Sequence, residues 1–269
     1  MRILKLALIA LLVVVGAAYG LTTANRFLSG SHIPPTIRCD SEVIELSVTD
    51  DEAALLQGVT ATDKQDGDLT ASIRLQGVSK LVSNDTAKIS YIVFDSDGNA
   101  ASTSRMVRYT DYEKPHFTVD APLVYMENQD IKLLDRISAQ DVVDGDVTAA
   151  IRVSALSPTQ DPEVQTVAVQ VTNSMGDTAR LTLPLVIYSG TMVRPDVVLS
   201  DYLVYLDQGA SFRPEDYLSA VSTPIGPGLT GDVQITGAVN TEIPGTYYIY
   251  YRYPYSITTG LSVLTVVVE

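Results

Sequence analysis

Two clusters of aspartates carry the densest chemistry in the chain. Asp63-Lys-Gln-Asp66-Gly-Asp68-Leu-Thr70 recurs 78 residues later as Asp141-Val-Val-Asp144-Gly-Asp146-Val-Thr148. Each is followed by a second turn, Asp95-Ser-Asp97-Gly-Asn99 and Asn173-Ser-Met-Gly-Asp177. Carboxylates in this pattern admit two chemistries. Asp63, Asp66, Asp68, Asp95 and Asp97 in one copy, and Asp141, Asp144, Asp146 and Asp177 in the other, can supply the hard oxygen ligands that Ca²⁺ takes at about 2.3–2.6 Å. The same residues can instead accept hydrogen bonds from their own backbone in Asx-turns, with Gly67 and Gly145 supplying a positive φ. The spacing is not that of an EF-hand loop. Calcium is therefore the one cofactor the residues offer.

A second constellation is aromatic. Tyr247, Tyr248, Tyr250, Tyr251, Tyr253 and Tyr255 form the densest aromatic segment of the chain. Strand alternation sends Tyr247, Ile249, Tyr251 and Tyr253 inward, with Tyr247 a candidate tyrosine corner, and leaves Tyr248, Tyr250 and Arg252 on the opposite face. Tyrosine and arginine concentrate at interface hot spots, and tyrosine rings stack on sugars, so this row is the candidate partner-binding surface. Ordinary β-propensity accounts for the same tyrosines equally well, and the absence of tryptophan weighs against a dedicated carbohydrate module.

Catalysis has little to work with, and the expectation is no enzyme and no catalytic residue. The two histidines, His32 and His116, sit beside Pro34 and Pro115 in connecting segments, where a triad would have no fixed walls. Zinc chemistry lacks ligands, because Cys39 is the only cysteine and no histidines are close together. A lone cysteine also forms no intrachain disulfide, so the domains must hold by core packing.

The elements that must position these residues are strands. Ile89, Tyr91 and Val93 alternate with Lys88, Ser90 and Ile92, and Val167, Val169 and Val171 alternate with Ala168, Gln170 and Thr172, the period-two signature of half-buried strands. Asp-Gly and related turns punctuate them, with no helical stripe of useful length after Arg26. Pro35, Pro115 and Pro195 each precede an apolar run and lie 80 residues apart. In the third unit only Thr230-Gly-Asp-Val233 corresponds to the first aspartate motif, while Pro244 to Tyr251 matches Asn84 to Tyr91 at an offset of 160.

The expected fold is all-β: three tandem immunoglobulin-like β-sandwich modules, residues 35–111, 112–190 and 191–269, preceded by one N-terminal hydrophobic helix. The short connectors Tyr112 to Pro115 and Ser189 to Pro195 predict modules joined end to end.

Residues 1–5 carry Arg2 and Lys5, and residues 6–25 are uncharged, long enough for a transmembrane anchor or a signal peptide cleaved after Gly20 or Ala24. Residues 26–34 then form a linker. The positive flank places the remainder outside the cytoplasm, either tethered to the cell membrane as a single-pass protein or secreted. A formal charge of -14, with 32 acidic against 18 basic residues, repels phosphate backbones and excludes nucleic acid as a partner.

Gly58-Val-Thr-Ala-Thr-Asp63, Asp66-Gly-Asp-Leu-Thr70, Ile89-Ser-Tyr-Ile-Val-Phe-Asp95 and Gly98-Asn-Ala100, in that order, resemble the bacterial immunoglobulin-like repeats of surface proteins and insecticidal crystal toxins, and also hyalin-type repeats. The second unit departs from the pattern at Asn173 and Asp177, and the third follows it only in part. The resemblance implies a spacer or accessory binding module and no chemistry. The expected role is a non-catalytic, membrane-anchored stalk presenting a distal surface to a protein or glycan. The alternatives are a carbohydrate-binding or adhesion module, or an accessory subunit of a surface assembly.

Overall fold

The computed structural model describes residues 11–21, 33–127, 129–190 and 193–269. A helix occupies residues 11–21. Among the described residues no helix is long and apolar enough to cross a membrane. Residues 6–10 and 22–25 of the expected span lie outside the described residues, as do residues 1–5, residues 26–32 of the linker with His32, and the first two residues of the third module.

Among the described residues from 35 onward, six sheets pair into three immunoglobulin-like sandwiches of one repeating topology. In the first, Thr36–Cys39, Val59–Asp63 and Gly67–Asp68 make one sheet, facing Val43–Leu46, Ala100–Tyr109, Thr86–Phe94 and Arg74–Ser83 in the other. The leading strand thus passes from one sheet to the other, where Val43–Leu46 pairs in parallel with Ala100–Tyr109 while the other pairings are antiparallel. Val124–Met126 repeats that parallel pairing with Thr178–Tyr188, and Leu203–Leu206 with Thr258–Val268. Switching sheets this way lets one short strand cover the edge of each.

Alternation builds the cores. Ala87, Ile89, Tyr91 and Val93 of Thr86–Phe94 are fully buried, as are Ile249 and Tyr251 of Gly245–Tyr255. Each such aliphatic side chain contributes about 1.5–3 kcal/mol on leaving water. The turns follow the same repeat, with Gly67 and Gly145 both left-handed, at φ 76 and 70.

The chain divides into two compact units, Met1–Asp111 and Tyr112–Glu269. The first holds one sandwich. The second holds two, and they are not joined simply end to end: Val164 and Val186 of one sandwich pack with Leu261 and Val263 of the other, flanked by Val124, Tyr188, Tyr248 and Tyr250. The reason lies in the strands. Pro184 and Val186, and Leu261 and Val263, are on the faces opposite the cores formed by Leu183, Leu185, Leu264 and Val266, yet all are buried. A strand apolar on both faces needs cover on both, and here the two outer faces cover each other.

Candidate functional site

The aspartate turns of the two copies have nearly the same geometry. Asp63 Oδ1 accepts the backbone N–H groups of Gln65 and Asp66 at 2.7 and 3.0 Å, and Asp141 Oδ1 those of Val143 and Asp144, both at 2.9 Å. Asp68 and Asp146 accept the N–H groups of Thr70 and Thr148, both at 2.9 Å. These donors tune the carboxylates. The N–H groups of Asp66 and Gln65 hold the Asp63 carboxyl below its usual range, and the hydroxyl and N–H of the following threonine do the same for Asp68 and Asp146.

The middle aspartate reaches across. Asp66 accepts from Ser96 through both its N–H and hydroxyl, at 2.7 and 2.8 Å, and Asp144 accepts from Ser174 in the same way, at 2.5 and 2.6 Å. Each pair latches the aspartate turn to the next hairpin. In that hairpin Asp95 accepts the N–H and side-chain amide of Asn99, and Asp97 lies in the same turn. In the second copy Asn173 donates to Asp141 Oδ2 at 3.0 Å and to the Tyr112 hydroxyl at 2.9 Å, while Tyr112 donates to Asp177 at 3.0 Å. Burial, with the neighbouring carboxylates, pushes the Tyr112 hydroxyl up to about 12.

The structure thus brings Asp66 to the Asp95–Asn99 hairpin, and Asp141 to Asn173 and Asp177. It does so through protein donors. Among the described residues no three His, Cys, Asp or Glu side chains converge on a point one metal ion could share. A calcium ion at either turn must compete with the N–H and hydroxyl groups that these carboxylates already accept.

The third sandwich is built differently at this place. Leu69 and Val147 donate their N–H groups to Ala61 and Ala139, and the equivalent bond runs from Gly228 to Val221. Thr223-Pro-Ile-Gly226 therefore takes the place of the aspartate turn, with the Thr223 hydroxyl donating to the Gly226 carbonyl at 2.7 Å. Thr230–Asp232 is the short 3-10 turn that follows, equivalent to Thr70–Ser72 and Thr148–Ala150. The expected match of Thr230-Gly-Asp-Val233 to the aspartate motif is corrected accordingly.

Tyr248, Tyr250 and Arg252 lie opposite Ile249, Tyr251 and Tyr253, as alternation requires. Their face is not open surface, because the second sandwich covers it. The Tyr248 hydroxyl donates to the Thr182 carbonyl at 2.9 Å, Arg252 pairs with Asp161, and the Arg252 guanidinium lies 5.0 Å from the Tyr250 ring. Arg194 adds a pair with Glu163 at 2.7 Å and stacks 4.4 Å over Tyr188. Tyr247, at the strand's start, donates to the Ile243 carbonyl four residues back at 2.8 Å, as a tyrosine corner does.

One cluster had no counterpart in the sequence reading. Arg105 is 3% exposed and donates to the Tyr91 hydroxyl at 2.9 Å, to the Leu55 and Gln57 carbonyls, and to Asp40 at 3.2 Å. Tyr91 in turn donates to Leu55 at 2.7 Å. Its phase is the missed signal, since Arg105 alternates with the buried Val107 in Ala100–Tyr109. His116 packs edge-on against Tyr205, with ring centroids 4.7 Å apart, and its Nε2 lies 3.2 Å from Glu269 Oε1. Cys39 is a half-buried free thiol at a strand end.

No family model matches the chain, and no curated protein matches it. Solved structures give distant likenesses. The carbohydrate-binding CBM51-2 and INT domains of Clostridium perfringens ZmpB, with GlcNAc, share 17% identity at a TM-score of 0.24, over 57% of this chain and 41% of that one. The lipoprotein BT2262 of Bacteroides thetaiotaomicron shares 13% at 0.21, over 86% and 98%. Protocadherin gammaB7 EC3-6 shares 10% at 0.22, over 86% and 73%. The chain spans only 30 to 41% of the Clostridium chains it matches. Likeness at this level assigns neither family nor function.

Proposed function

We propose that the chain is a non-catalytic interaction protein of the cell exterior. Residues 6–25 hold it at the membrane or are cleaved on export, the first sandwich serves as a spacer of the bacterial immunoglobulin-like repeat type, and the unit Tyr112–Glu269 meets a protein or glycan partner. One observation carries this reading: the carboxylates with the most suggestive spacing are committed to holding turns together, Asp66 to Ser96 and Asp144 to Ser174. These two carboxylates serve shape. The lowered values of Asp63, Asp68 and Asp146 follow from the backbone and threonine donors that hold the turns, and they move these groups away from general-acid use.

The placement is tested by expressing the full chain in a bacterial host and adding trypsin to spheroplasts. Degradation before lysis of a chain found with the membranes, or its release with the periplasmic fraction where residues 6–25 are cleaved, is the expected result; protection until lysis overturns it. The mass of the mature N-terminus separates anchor from signal peptide, because cleavage after Gly20 or Ala24 leaves a defined new end.

A further inference from the structure

On the outer face of the second sandwich, beyond the part that the third covers, lies a groove of about 450 Å³ lined by Arg152, Ser154, Gln170, Arg180, Thr182 and Thr246 among others. None of its lining residues is acidic, in a chain with 32 Asp and Glu against 18 Lys and Arg. Arg152 stands directly across from Gln170, and Gln170 from Arg180, on three adjacent antiparallel strands. At roughly 4.8 Å per strand the two arginine backbones are about 10 Å apart, with an amide between them. Among the described residues neither arginine makes an ion pair or side-chain hydrogen bond, whereas Arg105, Arg194 and Arg252 are all paired.

We propose that this groove binds a saccharide chain bearing carboxylate or sulfate groups. The guanidinium forks match such anions bidentately. Ser154, Thr182, Thr246 and Gln170 offer hydroxyl and amide groups that both donate and accept, which suits sugar hydroxyls. The volume falls within the range of about 300–1,000 Å³ usual for ligand sites. An acidic peptide fits less well. Peptides adding to sheets use main-chain hydrogen bonds at an edge; Arg152–Val153 is such an edge at the groove's margin, but the arginines, Gln170 and the hydroxyls line the sheet's face, where recognition falls to side chains. Thr246 comes from the third sandwich, so the complete groove exists only where the two sandwiches are docked. The proposal names a ligand class for the interaction role inferred above and rests on that reading only for its setting.

The test is calorimetric titration of the full chain, in a neutral detergent, with a hexameric oligogalacturonate, a sulfated hexasaccharide, a neutral hexasaccharide and hexaglutamate. One or both anionic saccharides should bind, more weakly as salt is raised, and the neutral one should not. Arg152→Gln and Arg180→Gln should each weaken binding on the order of tenfold or more without lowering the melting temperature, while Arg38→Gln with Arg213→Gln, both outside the groove, should leave it unchanged. No binding of either anionic saccharide overturns the proposal. So does undiminished binding by a double variant that melts like the parent, and so does hexaglutamate binding as tightly, which would give the groove to acidic peptides. If the double variant does not fold, Arg152→Lys and Arg180→Lys replace it: they keep the charge and lose the fork, so weakened binding supports the proposal and unchanged affinity overturns it. A chain that trypsin reaches in spheroplasts yet binds none of these probes loses this ligand assignment alone, and a groove that binds in a chain protected until lysis loses only the placement.

Discussion

Leu261→Asp should separate the second and third sandwiches without unfolding either. Leu261 is 6% exposed and packs on Val263, Val164 and Val186, which are 8, 1 and 2% exposed. Losing the leucine removes about 1.5–3 kcal/mol of apolar burial, and a carboxylate left in its place costs several kcal/mol more while it stays dry. Undocking lets that carboxylate reach water, so the cost is capped at the docking free energy. The polar ties oppose it only in part: the Tyr248–Thr182 and Phe117–Tyr205 bonds contribute about 1 kcal/mol each, and the Arg252–Asp161, Arg194–Glu163 and His116–Glu269 contacts, partly solvated, about 1 kcal/mol or less each. Inward residues such as Leu183, Leu185, Ile249 and Leu264 are untouched, all within 1% of full burial. Differential scanning calorimetry should therefore show the shared transition of residues 112–269 resolve into two, with faster proteolytic nicking around residues 189–195. A single transition moved by less than about 2 °C, or loss of the third sandwich's strand signal at low temperature, would refute the reasoning.

Tyr251→Ala should cost about 3–5 kcal/mol and Tyr251→Phe about 1–3, because the side chain is fully buried and its hydroxyl donates to the Pro214 carbonyl at 2.7 Å; equal losses in urea denaturation would contradict this. Gly58→Ala should destabilise the first sandwich by about 1 kcal/mol or more, since φ is +72 and a Cβ would collide with the Asp40 carboxylate that Arg105 holds; the loss should shrink in an Asp40→Ala background, measured by a double-mutant cycle. Asp63, Asp68 and Asp146 are held below the ordinary value of 3.8, so their contribution is present above that pH and disappears as pH falls through the folded-state values. Asp63→Asn, Asp68→Asn and Asp146→Asn should therefore lower the melting temperature at neutral pH and flatten the acid limb below about pH 4, where variant and parent converge. Adding about 1 mM calcium should move the melting temperature by less than about 1 °C against chelator, because the turn carboxylates already accept protein donors, whereas a rise of several degrees would show that the ion wins that competition.

The fold was legible wherever one face of a strand met water. Ile89, Tyr91 and Val93, or Val167, Val169 and Val171, declare their strands by alternation alone, and the repeated Asp-Gly turns mark where chains reverse. The inward phase of Tyr251 and Tyr253 was equally plain. What escaped depends on contacts between elements far apart in sequence. The docking of two sandwiches hid the tyrosine face, although it left a trace: Leu181 to Tyr188 and Gly260 to Val268 are apolar at nearly every position, where a sheet with one wet face would alternate. The serine partners of Asp66 and Asp144 were invisible because an aspartate's acceptor capacity fits calcium, its own backbone and a neighbouring hydroxyl alike, and only the fold chooses among them.

The three sandwiches solve one topology with different glue, and the position of Arg105 shows how. Across the strand pair, Arg105 faces Ile89, Leu183 faces Val167, and Leu264 faces Ile249, so one core site holds a guanidinium in the first copy and a leucine in the other two. A buried guanidinium is tolerable only with its donors satisfied, and the first sandwich supplies Tyr91, Leu55, Gln57 and Asp40 around it. The copies with leucine need no such network at that site, and the Tyr251 and Ser262 hydroxyls, which remain inward in the third, each bond a single backbone carbonyl. The third has also replaced the aspartate turn with Thr223-Pro-Ile-Gly226, leaving Ile225 and Leu229 exposed there, while its outer sheet face gains apolar and ionic contacts to the second. Cross-linking between turns in the first two copies thus gives way, in the third, to cross-linking between whole sandwiches. That exchange is what sets Thr246 at the margin of the Arg152–Arg180 groove.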